Sequence, residues 1–267
     1  MNYISKEGLT IYYELHGNMK APKTIVFLNG LSQSTMSWGL VIPYFKDNFR
    51  ILLIDQILQG QSDKRSEWRT FDQHAQDVHE LISALSIRQP IIAGLSYGSM
   101  VAQHYAVLFP NDLEKLILMA TLAHKTPYFD AIGHAWWRAL EAGGYPLMFD
   151  VMLPNVLSEN YFKNPLIPIS AMKDARLQTG LDASSLIKLM KATQEREDYR
   201  PRLKNIKAPS LVMQGDKDTL LPPSFAEEVH KNIPQSNLII IKDVGHTLNL
   251  EAVPEICKHI LEFVYNG

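Results

Sequence analysis

The sequence predicts an α/β protein built on a mostly parallel β-sheet with helices on both faces. Six short runs are apolar on both faces, which is typical of central parallel strands. Stretches with helical patterning lie between them, and such alternation indicates a sheet covered on both sides. The length of 267 residues suits one large domain with a sizeable insertion.

The predicted elements follow one another in a regular order. An opening antiparallel hairpin ends with a strand at residues 12–17, and the six apolar runs occupy residues 24–30, 50–56, 89–96, 114–120, 209–216 and 237–243. Helices are predicted near residues 34–46, 71–86, 97–109, 223–232 and 254–265.

One long segment interrupts this order. Residues 124–203 contain no convincing buried strand, are rich in Trp, Met, Phe, Tyr and Pro, and carry helical patterns with apolar faces. We therefore expect a core domain of residues 1–123 and 204–267, and a helical lid of residues 124–203, which we call the cap.

Composition excludes several classes of partner. The net charge is −2 and no basic run is present, which argues against a nucleic-acid or anionic membrane surface as partner. No apolar stretch approaches the ~20 residues of a membrane span, and the N-terminus lacks a signal-peptide pattern. The single cysteine, Cys257, allows no internal disulfide. These features predict a soluble cytoplasmic protein that acts on a small molecule.

The segment "AGLSYGS" contains a candidate nucleophile. Gly94, Ser96 and Gly98 form a G-x-S-x-G pattern between a predicted strand and a predicted helix. A sharp strand-to-helix turn leaves no room for Cβ atoms on either side and exposes the serine hydroxyl. The backbone N–H of Tyr97 then lies at a helix N-terminus, where unpaired donors favour an anion.

A serine nucleophile needs a base, and the base needs an orienting acid. Asp218 and His246 follow the last two predicted strands, so they meet Ser96 at the same sheet edge. Asp216 and Asp243 are the competing acids, and we favour Asp218.

The chain resembles the α/β-hydrolase fold superfamily over nearly its whole length. The motifs that carry the resemblance are "NGLSQSTMSW", "DQILQGQSD", "GLSYGS", "GDKD" and "VGHTLNLE". The resemblance implies an eight-stranded sheet with the cap inserted after the sixth strand. It also assigns Ser96 as nucleophile, Asp218 as acid and His246 as base. The second backbone donor of the oxyanion hole, beside Tyr97, is then Leu31.

Two loops depart from the superfamily pattern. Asn29 stands where a histidine is usual, and two roles are open to it: hydrogen bonding within the loop, or contact with substrate. The loop at residues 55–62 lacks the usual Arg-Gly pair, so we expect an Arg-centred network to be lost or rebuilt there.

The cap gives the only hint of substrate. We predict that Trp136, Trp137, Met148 and Met152 line an apolar pocket, since flexible Met side chains suit variable acyl chains. The same residues can instead join the cap to the core.

The favoured activity is hydrolysis of a small or medium apolar acyl ester, lactone or thioester. It requires no metal and no organic cofactor, and no tight H-x-x-x-H cluster is present. One alternative is an acyltransferase, since short motifs resemble a bacterial enzyme that joins 3-hydroxyacyl chains. Acceptance of a carrier protein would require a basic patch at the pocket mouth, for which the cap offers Lys163, Lys173, Arg176, Lys188 and Lys191.

Two further alternatives share the fold. One is a non-catalytic ligand-binding protein, and the other is a perhydrolase or C–C bond hydrolase that uses the same triad. The sequence is compatible with a monomer or a homodimer.

Overall fold

Eight β-strands form one sheet in the computed structural model, which describes residues 1–178 and 181–265. They are β1 (Asn2–Ile4), β2 (Thr10–Gly17), β3 (Thr24–Leu28), β4 (Arg50–Ile54), β5 (Ile91–Leu95), β6 (Lys115–Met119), β7 (Ser210–Gly215) and β8 (Ser236–Ile241). Their order is β1-β2-β4-β3-β5-β6-β7-β8. Strand β2 is antiparallel to both of its neighbours, and every other neighbouring pair is parallel. The predicted mostly parallel sheet is confirmed, and the carboxyl ends of β3 and β5–β8 meet at one edge.

Helices cover both faces of this sheet. A 3₁₀ turn spans Thr35–Trp38, and the α-helices are α1 (Ile42–Phe45), α2 (Phe71–Ala84), α3 (Tyr97–Leu108), α4 (Pro127–Val156), α5 (Glu159–Lys163), α6 (Ile169–Gln178), α7 (Ala183–Glu195), α8 (Arg200–Leu203), α9 (Pro223–Asn232), α10 (Leu248–Glu251) and α11 (Val253–Tyr265). The helix predicted at 34–46 is instead the 3₁₀ turn and the short α1. Pro43 lacks the N–H that a continuous helix would direct to Gly39, which explains the break.

The strand pattern separates two apolar cores. Alternate residues of each central strand point to opposite faces. Val26 and Leu28 pack in the core shared with α2, α3 and the cap, whereas Ile25 and Phe27 pack in the core shared with α11. All four side chains are fully buried. This two-sided burial explains why the central strands are apolar throughout.

Helices α4–α8 lie between β6 and β7, which is where the sequence predicts the cap. Gly143 and Gly144 interrupt α4, and Gly144 has a φ of +66°, a conformation that side chains with a Cβ rarely adopt. Helices α4 and α7 pack on each other across the carboxyl edge of the sheet. The division of the chain into core and cap domains at residues 124 and 203 stays a prediction.

Candidate active site

Ser96 occupies a strained turn between β5 and α3. Its backbone has φ 52° and ψ −113°, outside the regions that side-chain-bearing residues normally adopt. A Cβ at Gly94 would lie 2.3 Å from the carbonyl oxygen of Gly98, and a Cβ at Gly98 would lie 2.3 Å from the carbonyl oxygen of Leu28. The two glycines therefore permit the turn, as the sequence pattern predicts.

The imidazole of His246 bridges Ser96 and Asp218. Its Nε2 lies 2.8 Å from Ser96 Oγ, and its Nδ1 lies 2.7 Å from Asp218 Oδ2. Asp218 follows β7 and His246 follows β8, so the parallel sheet delivers both side chains to the edge where β5 ends. Asp218 is 3% exposed and His246 is 5% exposed. The three groups have the geometry of a nucleophile, a general base and an orienting acid.

Hydrogen bonds hold the Asp218 carboxylate in place. Its Oδ1 accepts the backbone N–H groups of Leu220 and Leu221 at 3.0 and 2.8 Å, and its Oδ2 accepts Gln214 Nε2 at 2.6 Å. An acceptor at His246 Nδ1 requires the proton on that nitrogen, which leaves Nε2 free to accept the serine proton.

The competing acid Asp216 has a different environment. Its Oδ1 accepts the backbone N–H of Asp243 at 2.6 Å, and its Oδ2 pairs with Lys217 at 3.1 Å. The first contact joins the loop after β7 to the loop after β8, and the second lies within the loop after β7. The structure therefore brings only Asp218, among the three candidate acids, into contact with His246.

Two backbone N–H groups are available beside Ser96 to bind an oxyanion. Leu31 and Tyr97 line the same cavity as Ser96, and within the described residues neither backbone N–H has a hydrogen-bond partner. A Cβ at Gly30 would lie 3.6 Å from the carbonyl oxygen of Leu95, so the loop after β3 runs close to the turn. Tyr97 is also the first residue of α3, whose positive N-terminal end favours developing negative charge.

The phenol of Tyr97 is anchored to α2. Its oxygen lies 2.9 Å from His74 Nε2, and both side chains are fully buried. Desolvation lowers the pKa of His74 to about 3, so the imidazole is neutral at pH 7 and accepts the phenolic proton. Burial likewise raises the pKa of Tyr97 well above its ordinary value.

A cavity of about 420 Å³ opens beside Ser96 between the sheet edge and the cap. Its walls are mainly apolar, and polar groups lie on α4, on α7 and just before α4. The apolar lining consists of Leu31, Met100, Leu122, Phe129, Trp136, Met190, Leu220 and Leu221, and the polar lining includes Lys125, Asp130, His134, Thr193 and Gln194. The volume suits a small or medium substrate.

The structure separates the cap residues that the sequence predicts as pocket lining. Trp136 lines the cavity. Trp137, the next residue on α4, does not, and its Nε1 donates to Glu141 Oε1 at 2.9 Å. Met148 and Met152 are buried in the core between cap and sheet and do not line the cavity.

Asn29 belongs to the loop network and lies outside the cavity. It is fully buried, and its Nδ2 donates to the carbonyl of Ile54 at 2.9 Å and to Asp55 Oδ1 at 3.1 Å. Its Oδ1 accepts Trp38 Nε1 at 2.8 Å. The carboxylate of Asp55 also accepts two backbone N–H groups, although burial raises its pKa overall. The loop at residues 55–62 is therefore held by a network centred on Asn29 and Asp55, without an arginine.

The cavity is not lined by any of the five basic residues that the acyltransferase alternative needs, Lys163, Lys173, Arg176, Lys188 and Lys191. Lys163 pairs with Glu159, and Lys173 pairs with Asp150. The remaining three of these five residues contact the core. Arg176 donates to the carbonyl of Ser32, Lys188 donates to the carbonyl of Ser66, and Lys191 lies over the ring of Trp68.

The loops that carry Asp218 and His246 both bind one turn of the cap, residues 154–158, which we call the cap turn. Thr219 Oγ1 donates to the carbonyl of Pro154 at 3.2 Å. Thr247 Oγ1 donates to the carbonyl of Val156 at 2.6 Å. Each threonine directly follows one of the two candidate catalytic residues.

Glu251 adds a third connection to the cap turn. Its Oε2 accepts the backbone N–H of Ser158 at 3.1 Å and that of Gly245 at 3.2 Å. A Cβ at Gly245 would lie 2.6 Å from the Ser158 nitrogen. The loop before His246 and the cap turn are therefore in direct contact.

Sequence reasoning missed most of the cavity wall. Met100 was open to prediction, because it lies one helical turn after Ser96 and projects from the same face of α3. Met190 and Leu221 lie far from the recognisable motifs, and only the packing of α7 and the loop after β7 brings them to the serine.

The described residues offer neither a metal-binding cluster nor a membrane-spanning helix. In residues 1–178 and 181–265, no group of three or more His, Cys, Asp or Glu side chains is placed to hold a metal ion. Across the same ranges, no helix has both the length and the apolar character that crossing a membrane requires.

Comparisons with known proteins agree with this architecture. AB hydrolase superfamily protein YisY of Bacillus subtilis is 28% identical over 268 residues, covering 97% of both chains. 3-oxoadipate enol-lactonase 2 of Acinetobacter baylyi is 25% identical over 270 residues, covering 98% of this chain and 95% of its own. The crystal structure of MGS-M2, an alpha/beta hydrolase from a Medee basin deep-sea metagenome library, superposes with a TM-score of 0.89. That structure is 25% identical and covers 99% of this chain and 97% of its own.

The family comparison covers most of the chain. The sequence profile described as Serine aminopeptidase, S33 matches residues 20–252, a range that includes β3 through α10 and the three residues joined by hydrogen bonds at the sheet edge. With the sheet order, the serine turn and these similarities in place, the chain belongs to the S33 serine aminopeptidase family of the α/β-hydrolase superfamily.

Proposed function

We propose that this protein is a serine hydrolase that cleaves carboxylic esters, lactones or thioesters with small or medium apolar acyl groups. One observation carries the proposal: His246 bridges Ser96 Oγ at 2.8 Å and Asp218 Oδ2 at 2.7 Å, at the wall of an apolar cavity. A serine hydroxyl becomes an effective nucleophile when a neutral imidazole accepts its proton, and a buried carboxylate stabilises the imidazolium that forms.

The proposed reaction passes through an acyl-enzyme. Ser96 Oγ forms a bond to the acyl carbon while His246 Nε2 takes the hydroxyl proton. The carbonyl oxygen becomes an oxyanion, which the backbone N–H groups of Leu31 and Tyr97 stabilise. The bond to the alkoxide or thiolate then breaks, and His246 gives that group its proton. Water repeats the sequence in reverse, releasing the acid and restoring the serine.

The cavity supports the proposed substrate class. The apolar lining residues, including Leu31 and Met100, match an apolar acyl group, and the polar groups on α4 and α7 match a polar part of the substrate. The similarity to an enol-lactonase adds cyclic esters to the substrates worth testing.

Hydrolysis is favoured over acyl transfer to a carrier protein. Transfer to such a partner would need a cluster of cations at the cavity. Lys125 lines the cavity, but Lys163, Lys173, Arg176, Lys188 and Lys191 do not. The cytoplasmic location and the monomeric or homodimeric state stay predictions.

The test is an assay of p-nitrophenyl esters from acetyl to dodecanoyl. We expect turnover that peaks at one chain length and a loss of kcat of at least about 10³-fold in Ser96→Ala. Asp218→Asn should lose about 10⁴-fold because the wrong imidazole tautomer is held, whereas the matched Asp216→Asn should retain wild-type kcat. Absence of both ester turnover and fluorophosphonate labelling in the wild type would refute the proposal.

A further inference from the structure

A chain of buried hydrogen bonds runs from the cap to the peptide bond that follows Ser96. Arg196, at the end of α7, donates to Gln103 Oε1 at 2.7 Å. Gln103 Nε2 lies 2.6 Å from Thr121 Oγ1, which lies 2.9 Å from Ser99 Oγ. Ser99 Oγ lies 2.6 Å from the carbonyl oxygen of Ser96, which also accepts the backbone N–H groups of Ser99 and Met100 at 2.9 and 3.2 Å. Every side chain between Arg196 and Ser96 is fully buried.

Arg196 at one end and the Ser96 carbonyl at the other fix the direction of the bonds in this chain. A guanidinium only donates, so the Gln103 oxygen must face it and the amide nitrogen must face Thr121. A carbonyl only accepts, so the single proton of Ser99 Oγ is directed to the Ser96 oxygen. The contact between the two hydroxyls then uses the Thr121 proton, and Thr121 Oγ1 accepts from Gln103.

That carbonyl belongs to the same peptide unit as the N–H of Tyr97. The peptide is planar and trans, so its C=O and N–H point in opposite directions, and fixing one fixes the other. A hydrogen bond to the C=O also polarises the peptide and strengthens its N–H as a donor. The Tyr97 N–H is one of the two oxyanion donors in the proposed function.

We propose that Arg196, Gln103 and Ser99 are positioning residues that orient the oxyanion-binding N–H of Tyr97 from the cap. The inference rests on the proposed function, because it assigns a role to that N–H. None of the three side chains lines the cavity, so the effect must pass through the peptide after Ser96.

Arg196 is well held for this role. It also donates to the carbonyl of Leu122 at 2.9 Å and to His104 Nε2 at 3.2 Å, and its guanidinium lies 4.9 Å from the ring centre of Tyr199. Desolvation lowers the pKa of Arg196 to about 10, which leaves it charged at neutral pH. The His104 imidazole that accepts from it is neutral, since burial lowers its pKa to about 4.

The discriminating variant is Gln103→Glu. A carboxylate keeps the bond to Arg196 as an ion pair, so the cap stays anchored, but it has no proton for Thr121 or for the carbonyl of Leu122, which keeps its bond from Arg196. The Thr121 hydroxyl then turns toward the carboxylate, and Ser99 is free to donate to Thr121 instead of Ser96. We expect the phosphonylation rate and the kcat for esters to fall by roughly 3- to 10-fold, the effect of one lost hydrogen bond, with KM unchanged.

The readout is the rate at which a fluorophosphonate labels Ser96. In that reaction the Ser96 Oγ–P bond forms, the P–F bond breaks, fluoride leaves and His246 takes the serine proton. Gln235→Glu, an exposed change at the amino end of β8, is the matched charge control and should label at the wild-type rate. A wild type that is never labelled refutes the proposed function itself, before any variant is compared.

A double-mutant cycle tests the route. Ser99→Ala removes only the last donor, so it should give the same fall as Gln103→Glu, and the double variant should show no further loss. Ser99→Ala also serves if Gln103→Glu does not fold. Wild-type labelling in Ser99→Ala, or additive losses in the double variant, would overturn the inference. A change in KM with unchanged kcat would overturn it too, because an oriented oxyanion donor acts in the transition state.

Discussion

Replacing Asn29 with alanine should destabilise the fold without altering substrate binding. The amide of Asn29 satisfies the indole N–H of Trp38 and the carbonyl of Ile54, and all three groups are buried. Asp55 keeps its bonds to two backbone N–H groups, so it adds little to the loss. A buried polar group left unsatisfied costs about 1–3 kcal/mol, so two orphaned groups predict a loss of about 2–6 kcal/mol in the free energy of unfolding.

The measurement is urea unfolding followed by tryptophan fluorescence, together with KM for the preferred ester. Asn160→Ala, an exposed asparagine on α5, is the matched control and should change the free energy of unfolding by less than about 0.5 kcal/mol. We expect KM to be unchanged in Asn29→Ala, because Asn29 does not line the cavity. A KM raised severalfold with unaltered stability would refute the loop role and assign Asn29 to substrate contact.

Three further predictions follow from the same contacts. Trp136→Leu should widen the cavity and raise kcat/KM for longer over shorter esters by about fourfold per added methylene, whereas Trp137→Leu should leave the chain-length profile unchanged in the same ester series. Gly245→Ala should displace the cap turn and lower kcat at least about tenfold in the ester assay, whereas Gly39→Ala, with only a 3.4 Å contact, should have wild-type kcat. His74 stays neutral in the folded protein but takes up a proton below about pH 6.5 in the unfolded chain, so the free energy of unfolding falls as the pH falls. In urea unfolding, His74→Gln should reduce the fall between pH 7 and pH 5 by about 2 kcal/mol.

The sheet was open to prediction from sequence because burial on both faces leaves a plain signal. Strands β3, β5, β6 and β7 are buried at every position, and most of their residues are apolar. The prediction of one continuous helix at 34–46 was wrong, because the segment forms a 3₁₀ turn and a short helix. The apolar spacing gives no sign that Pro43 lacks the backbone N–H that a continuous helix would use.

The candidate site was predictable where it depends on strand ends, and less so where it depends on side-chain direction. Ser96, Asp218 and His246 each follow a strand, so topology alone brings them to one edge. Trp136 and Trp137 are adjacent on one helix, and only the packing of α4 decides which one faces the serine. Composition could not separate them, because both are large aromatic residues in an apolar segment.

The bonds to the cap turn affect how a substrate could enter the cavity. Lifting that corner of the cap breaks the bonds from Thr219, Thr247 and Glu251, and thereby loosens the loops that hold Asp218 and His246. An opening there would disturb the hydrogen bonds that join Ser96, His246 and Asp218. The start of α4 and the end of α7 are joined by a different bond, from Lys125 Nζ to the carbonyl of Gln194, and breaking it disturbs none of the bonds to the cap turn. Parting the cap from the core at that end would leave the loops of Asp218 and His246 in place.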